Sequence, residues 1–310
     1  MKFGIFVQTT GPRVTPDGLS RVALAAESLD FDTAWVGDHV IVPDVIESRY
    51  PFTRSGTFPM NHADNFLEPL STMTFLLART TRLRLGTNVL IVPYRNPVAT
   101  AKTLANIDWL SAGRLTVGIG VGWMKEEFEA LAAPPYEERG RVTDEYLDVF
   151  KKVWTEDLVS HHGAYYQLDA VYARPQPVRK PHPPIYVGGH TAPALRRTAR
   201  VGDGWNAWRL SPQDLIAHRE RLDSYLRQTG RALDSVKVCL AQLLAVTDGT
   251  FGDESQRPAL TGSVDQIAGD IRAYQAAGVD QLALLLRAGD ADDTIRQLQR
   301  FDREIRPKVS

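Results

Sequence analysis

The sequence has a single cysteine, Cys239, in 310 residues, so it cannot form an internal disulfide. The surrounding run, VKVCLAQLLAV, is apolar. This context predicts a buried, unreactive thiol rather than a nucleophile. The spacings typical of metal sites, H-E-x-x-H and C-x-x-C, do not occur, and we predict no metal site.

Excess charge and long apolar runs are missing as well. The 36 Lys and Arg residues nearly balance 37 Asp and Glu residues, which argues against nucleic acid and anionic membranes as partners. No apolar run is long enough to span a bilayer, and the first residues, MKFGIFVQTT, become polar too soon for a signal peptide. We therefore expect a cytoplasmic protein that acts on a small molecule.

What the sequence does have is an alternation of strand-like and helix-like segments. Eight strands with helical crossovers predict an α/β fold, a (β/α)8 TIM barrel forming a single domain over residues 1–310. Two insertions are expected, a long loop over 40–65 and a hairpin with a proline-rich stretch over 160–183. The predicted strands cover residues 2–8, 32–39, 83–93, 114–120, 184–189, 203–208, 236–246 and 279–286.

The stretch VGIGVGW, residues 117–123, ends the fourth predicted strand. Gly118, Gly120 and Gly122 are spaced G-x-G-x-G, and Trp123 stands where a dinucleotide-binding G-x-G-x-x-G motif needs its last glycine. A Rossmann loop is therefore disfavoured. In a barrel these glycines would lie at the carboxyl-terminal mouth, where they either admit a flat ligand or allow tight packing.

A second glycine pair, Gly188 and Gly189, ends the fifth predicted strand in YVGGHTAPALRR. Thr191 can cap the helix that follows. Free N–H groups at such a turn suit a phosphate, although an ordinary glycine turn has the same sequence. Three arginines on this helix, Arg196, Arg197 and Arg200, form either a basic rim or a solvated helix face.

Several ordered motifs resemble one family: FDTAWVGDH, LGTNVLIVPYRNP, AGRLTVGIGVGWMKEEFEAL and PHPPIYVGGHTAPALRRTARVGDGW. Together they span nearly the whole chain. They are similar to the luciferase-like monooxygenase superfamily, and within it to the branch of oxidoreductases that use the deazaflavin coenzyme F420. The resemblance implies a luciferase-like TIM barrel, usually a homodimer, with a flavin or deazaflavin at its mouth.

The resemblance also implies roles for individual residues. Asp38 and His39 would lie beside the reactive edge of the ring, and Asn88–Val89 would form a non-proline cis peptide behind it. The ring and its side chain would be lined by residues at the fourth strand, and the phosphate held at the fifth. These two sets are Gly120, Val121, Gly122 and Trp123, and Gly188, Gly189 and His190.

Proton transfer falls to His39 in this interpretation, because imidazole titrates near neutral pH. The alternative is that His39 has only a structural role, as a histidine at a strand end that is hydrogen-bonded to the backbone. Relatives that oxidise a sugar phosphate carry a glutamate where this chain has Trp123, so that substrate is in doubt. Trp123 and Trp208, at strand ends, can stack on ring or substrate, whereas Glu126 and Glu127 are expected to face along the next helix.

Three functions remain open from the sequence. The first is hydride transfer between coenzyme F420 and an unidentified organic substrate, with Asp38, His39 and Trp123 as catalytic candidates. The second is an FMN-dependent monooxygenase supplied by a partner reductase. The third is a non-catalytic F420-binding protein.

Overall fold

Eight parallel strands close into a barrel in the computed structural model, which describes residues 1–53, 55–59, 64–253, 256–287 and 289–309. Each barrel strand pairs with the next along the chain, and the last strand pairs with the first, which closes the barrel. The predicted TIM barrel is therefore confirmed. The strands are β1 (Lys2–Phe6), β2 (Thr33–Val36), β3 (Arg84–Thr87), β4 (Leu115–Gly120), β5 (Ile185–Gly188), β6 (Gly204–Trp208), β7 (Lys237–Val246) and β8 (Gln281–Leu286).

Helices surround the barrel, and most begin where the sequence places a capping residue. Asn96 accepts from the Ala99 N–H, and Ser263 and Gln266 form the predicted capping box. The helices are α1 (Pro16–Ser28), α2 (Pro69–Arg79), α3 (Pro97–Leu110), α4 (Lys125–Ala130), α5 (Arg139–Thr155), α6 (Ala192–Val201), α7 (Pro212–Gln228), α8 (Val264–Ala276) and α9 (Ala291–Arg300). The described residues contain no helix with both the length and the apolar character needed to cross a membrane.

Two segments differ from the sequence prediction. The third strand is not continuous over 83–93: it stops at Thr87 and resumes only as Leu90–Ile91. The sequence also predicts a long helix over roughly 136–154, but this helix begins at Arg139, after a short 3-10 turn. The predicted hairpin is present as an antiparallel pair, Val159–His162 with Gln167–Val171.

The interior of the barrel is closed by Trp35 and by small residues around it. Gly4 and Gly86 both face the Trp35 indole, and a Cβ on Gly86 would lie 2.5 Å from it. Cys239 is fully buried beside Gln281, and burial raises the pKa of its thiol, as an unreactive cysteine requires. Trp154 is buried too, but Trp109 is 55% exposed and does not belong to the core.

Candidate active site

The tip of β2 carries His39, whose imidazole is held from one side. Its Nδ1 lies 2.6 Å from Glu127 Oε2, and the Glu127 side chain is fully buried. We assign the Nδ1–H tautomer to His39, in which Nδ1–H donates a hydrogen bond to the Glu127 side chain. The second nitrogen, Nε2, makes no hydrogen bond to the residues that the structure describes, so it is the nitrogen that could face a ligand at the barrel mouth.

Glu127 receives three further donors. The Val40 and Ile41 amides donate to Oε1 at 2.7 and 3.3 Å, and the Tyr94 hydroxyl donates to Oε2 at 2.9 Å. Burial and the nearby Glu127 charge raise the pKa of Tyr94, which keeps that hydroxyl a donor. Glu127 therefore does not face along its helix as expected from the sequence, because α4 is turned so that this carboxylate points to β2.

Glu126, next on the same helix, also faces the loop that follows β2. Its Oε1 accepts from the Glu47 and Ser48 amides, both at 2.9 Å. The Ser48 hydroxyl in turn accepts from the Lys125 amide at 3.1 Å. Helix α4 thus fixes this loop at two points, residues 40–41 and 47–48.

Asp38 has a different position from the one that the resemblance implies. Its side chain is fully buried, and both oxygens are bonded to the Arg95 guanidinium, at 2.7 and 2.8 Å. The Ile91 amide donates to Oδ2 at 2.8 Å. Burial raises the pKa of Asp38, while the Arg95 charge and these hydrogen bonds oppose that effect. With both oxygens engaged, Asp38 joins the tips of β2 and β3 rather than handling a substrate proton.

The Asn88–Val89 peptide bond is cis and lies between the two pieces of the third strand. The Val89 side chain projects over two neighbouring strand ends. A Cβ on Gly120 would lie 2.4 Å from Val89 Cγ2, and one on Gly188 would lie 2.6 Å from Cγ1. These two glycines are therefore needed for Val89, and the ends of β3, β4 and β5 meet at this residue.

Gly122, just after the end of β4, likewise leaves room for a neighbouring side chain. Its φ is +84°, and a Cβ would lie 2.6 Å from the Phe128 ring. Phe128 is buried with Ile91 and Tyr94, and Val89 packs against the same group. One apolar cluster thus unites α4 with the ends of β3 and β4.

Trp123 follows this turn and faces the imidazole of His39. The two ring centroids are 6.0 Å apart, and Tyr50 and Phe58 from the loop after β2 contact the Trp123 ring at 5.0 and 5.3 Å. Phe58 also contacts His39 at 4.9 Å. Aromatic side chains from the loop therefore cover the imidazole and the indole together.

Trp208 closes the opposite side of the mouth, at the end of β6. Its ring lies 5.6 Å from Phe6 and 5.4 Å from Phe52 of the same loop. The Trp208 Nε1 is buried and has no hydrogen-bond acceptor among the described residues. The Asn88 Nδ2 is likewise buried without a hydrogen-bond acceptor among the described residues. A ligand oxygen would satisfy either donor.

The glycine turn after β5 leads into α6. Gly189 has a φ of +97°, and its carbonyl accepts from the Trp205 indole at 2.7 Å. Thr191 is the residue at the start of α6, but its side chain caps no amide, and His190 Nδ1 has no partner among the described residues. The Gly189 amide itself donates to the Asn206 carbonyl at 3.2 Å, so the phosphate site predicted at this turn would depend on His190 and the first amides of α6.

The arginines of α6 are engaged elsewhere. Arg197 is buried and donates to the Asp144 carboxylate at 2.8 and 3.0 Å, and Arg200 donates to the same group. Arg196 lies over the Tyr225 ring. Arg197 and Arg200 therefore hold α6 against α5, and the basic rim considered from the sequence is reduced to Arg196.

Glu127, Tyr94 and the loop aromatics Tyr50 and Phe58 are site residues that sequence reasoning missed. Helix α4 has only six residues, too few for periodicity to reveal a buried face. The sole signal for Glu127 was its position, five residues after the last glycine of the G-x-G-x-G motif. The loop aromatics showed no pattern, since their contacts are long-range.

Residues 1–250 match the family model described as luciferase-like monooxygenase. That match covers most of the chain, and the chain belongs to this family. Proteins of this class are α/β barrels that carry their functional site at the carboxyl-terminal mouth.

Three curated relatives place the chain within the family. It is 32% identical over 206 residues to an uncharacterized protein of Mycobacterium tuberculosis, covering 66% of this chain and 71% of that one. It is 36% identical over 143 residues to an FMNH(2)-dependent dimethylsulfone monooxygenase of Pseudomonas putida, covering 46% and 39%. It is 26% identical over 339 aligned positions to an F420-dependent glucose-6-phosphate dehydrogenase of Amycolatopsis mediterranei, covering 95% of each.

A solved structure confirms the fold. An F420-dependent secondary alcohol dehydrogenase, in complex with an F420-acetone adduct, superimposes with a TM-score of 0.80 over all of this chain and 99% of that one. The two sequences are 18% identical, so the likeness concerns the fold. Family members thus include flavin- and F420-dependent oxidoreductases and monooxygenases. At the level of the family, this supports an enzymatic function for the chain.

Proposed function

We propose that this chain is an F420-dependent oxidoreductase that transfers hydride to or from an organic substrate, with His39 as the proton-handling residue. The observation that carries the proposal is the bond from His39 Nδ1 to the buried Glu127, which leaves Nε2 at the barrel mouth. An imidazole fixed in this way can take up or release a proton at a defined position.

The residues present fit a flat ring with a phosphate. Val89, after the cis peptide, supplies an apolar support at the ends of three strands. The start of α6, where no side chain caps an amide, together with the His190 side chain, would hold the phosphate. We assign Val89, Val121, Gly122 and Trp123 to the ring and Gly188, Gly189 and His190 to the phosphate.

In the reaction, the coenzyme supplies or accepts the hydride when bound. The chain positions the substrate carbon against it, excludes water and moves one proton. When an alcohol is oxidised, the carbon loses hydride with its two electrons while His39 Nε2 takes the hydroxyl proton, so a carbonyl forms. Glu127 keeps the proton on Nδ1 and thereby directs the Nε2 lone pair to the substrate. Reduction reverses these transfers.

Coenzyme F420 is the cofactor we favour, because the relative that matches 95% of the chain uses it. FMN is the second candidate, because the relative with 36% identity is FMNH(2)-dependent, and such a monooxygenase would need a separate reductase. Fluorescence titration of the apo-protein with each cofactor tests the choice. We expect saturable F420 binding that is tighter than FMN binding; the reverse order would refute the proposal.

A further inference from the structure

The barrel has a cavity at its amino-terminal end, opposite the mouth. Its volume is about 590 Å³, which is the size of a site for a small organic molecule. The starts of β1, β2 and β3, the end of α1 and the last turn of the chain surround it. Charged residues dominate its wall, four basic and three acidic: Lys2, Arg82, Arg84 and Arg306, and Glu27, Asp30 and Asp32.

The three carboxylates of this wall already have partners. Glu27 accepts from the amides of residues 81–83. The Asp32 carboxylate is bonded to the Lys2 ammonium. Asp30 is 82% exposed and lies 3.5 Å from a guanidinium of the wall. The acidic groups that line the cavity are therefore already neutralised or hydrogen-bonded, and a cationic ligand would gain little from them.

Arg84 is the basic residue of the wall that has no acidic partner among the described residues. Its Nη2 donates to the Thr116 hydroxyl at 3.1 Å and to the Leu115 carbonyl at 3.4 Å. Its Nε and Nη1 make no hydrogen bond to the part of the chain that the structure describes. The other three basic residues each pair with an aspartate. Arg84 therefore presents unused donors to the cavity that it lines.

The surroundings of Arg84 disfavour its positive charge. Burial and the neighbouring Arg179 guanidinium lower the pKa of Arg84, and the carboxylates of Asp32 and Asp108 oppose this effect only in part. Asp108 is fully buried and directs one oxygen to the Arg179 amide. A partly buried cation without an ion-pair partner is costly, and an anion in the cavity would offset that cost.

Apolar side chains complete the wall but expose little surface. Phe3, Phe31 and Leu83 are at most 8% exposed. Charge therefore decides what this cavity can recognise. Arg82 is a second guanidinium in the same wall, and its side chain is 68% exposed. Guanidinium groups match the oxygens of carboxylates and phosphates.

We propose that this cavity binds a small multivalent organic oxyanion, bearing carboxylate or phosphate groups, with Arg84 as the main donor and Arg82 as the second. The site lies at the end of the barrel opposite the mouth, and it does not depend on which cofactor the mouth binds. Its occupant stabilises the amino-terminal end of the barrel and takes no part in the reaction.

Thermal unfolding of the full chain with citrate, pyrophosphate or sodium chloride at matched ionic strength tests this site. A ligand that binds only the folded state raises Tm. We expect citrate or pyrophosphate to raise Tm more than chloride does, and the larger shift identifies carboxylate or phosphate as the preferred group. F420 affinity should be the same with and without the anion. A Tm shift no larger than that of chloride, with both anions, would overturn the proposal.

Arg84→Gln should weaken binding of the preferred anion at least about tenfold, measured by titration calorimetry, because it removes a charged hydrogen-bond donor. Without the anion, its Tm should be unchanged or higher, since an unpaired charge is lost. Arg227→Gln is the matched control: it removes the same charge from an exposed position near the end of α7 and should bind the anion like the wild type.

Arg82→Gln keeps the test decisive if Arg84→Gln does not fold, because Arg82 is exposed. It should weaken binding of the same anion about threefold to tenfold. Wild-type affinity in Arg84→Gln, or in Arg82→Gln where only that variant folds, would show that the anion binds elsewhere. Equal losses in Arg84→Gln and Arg227→Gln would show that net charge alone attracts it. Either result would refute the site while leaving the proposed function intact.

Discussion

The two ends of the barrel use carboxylates in opposite ways. At the amino-terminal end, Glu27 accepts from the amides of residues 81–83, Asp203 from the Ile185 amide and Asp280 from the Val238 amide. The Asp203 and Asp280 bonds tie loops to neighbouring strands, and the Glu27 bonds tie the end of α1 to the segment before β3. At the carboxyl-terminal end, Glu127 bonds twice to the loop after β2 and once to the His39 imidazole, whose other nitrogen has no hydrogen-bond partner in the described part of the chain.

This difference suggests a division of roles, in which the amino-terminal end of the barrel serves stability and the carboxyl-terminal mouth serves function. Carboxylates at the amino-terminal end are satisfied by the backbone, and their loss should weaken the fold alone. At the mouth, donors such as Trp208 Nε1 and Asn88 Nδ2 lack acceptors in the described part of the chain. Polar atoms buried without partners are costly, and a ligand that supplies oxygens would remove that cost.

The largest effect is expected at His39. Replacing it by Ala should lower kcat by at least about 100-fold, because general acid–base catalysis contributes on that scale. F420 affinity should stay near the wild-type value, since the ring rests mainly on other residues. Steady-state kinetics of the F420-loaded protein, with whichever alcohol or carbonyl substrate it turns over, and the fluorescence titration measure the two quantities. Full activity of His39→Ala would remove the proton-transfer role.

Glu127→Gln should have the next largest effect. Loss of a charged hydrogen-bond acceptor is expected to lower kcat by about 10- to 100-fold. The ¹⁵N chemical shifts of the His39 ring should report a change in the Nδ1–H tautomer, which a purely structural role would leave intact.

Glu126→Gln is the matched control for this change, because Glu126 also anchors the loop but does not touch His39. Its activity and tautomer should remain close to those of the wild type. Equal loss of activity in both variants, with an unchanged His39 tautomer, would mean that Glu127 acts only by anchoring the loop.

Gly188→Ala tests whether Val89 organises the mouth. The new Cβ would lie 2.6 Å from Val89 Cγ1, and such overpacking should cost about 1–3 kcal/mol of unfolding free energy and weaken F420 binding. Gly269→Ala in α8 is the control: a Cβ there meets nothing within 4 Å, so stability should rise by about 0.5–1 kcal/mol. Denaturant unfolding measures both. A neutral Gly188→Ala would show that Val89 can move freely.

The smallest effect is a pH-dependent one at the amino-terminal end. Although burial acts in the opposite sense, the amides of residues 81–83 lower the pKa of Glu27 to about 2. A depressed pKa adds stability above the unfolded pKa of about 4.3. That stability is lost as pH falls toward 2. Glu27→Gln should therefore lower Tm at pH 7 without changing F420 affinity, and its deficit should shrink below about pH 4.3. A constant deficit across this range would contradict the assignment.

The sequence predicted the barrel well because each strand is a local apolar run between helices with readable caps, as at Asn96 and Ser263. The third strand was the exception, since the apolar letters of LGTNVLIVP carry no sign of the interruption at Asn88–Val89 beyond family resemblance. The prediction that His39 lies at the mouth combined the position of a strand end with the family resemblance.

The partners of the site residues could not be predicted in the same way. Arg95 binds Asp38 across 57 positions, and Glu127 binds His39 across 88. Such contacts depend on how α4 and the loop after β2 pack against the closed barrel. No local pattern records them, and this is why Asp38 was interpreted as catalytic and Glu127 as facing along its helix.

The most direct test of the central claim, that one ligand engages the carboxyl-terminal mouth, is hydrogen–deuterium exchange with and without coenzyme F420. The account predicts slower exchange on binding at residues 39–53, 88–91, 121–124 and 188–192, and unchanged exchange at 81–84. Protection confined to the amino-terminal end, or slower exchange at only one of the four mouth segments, would contradict it.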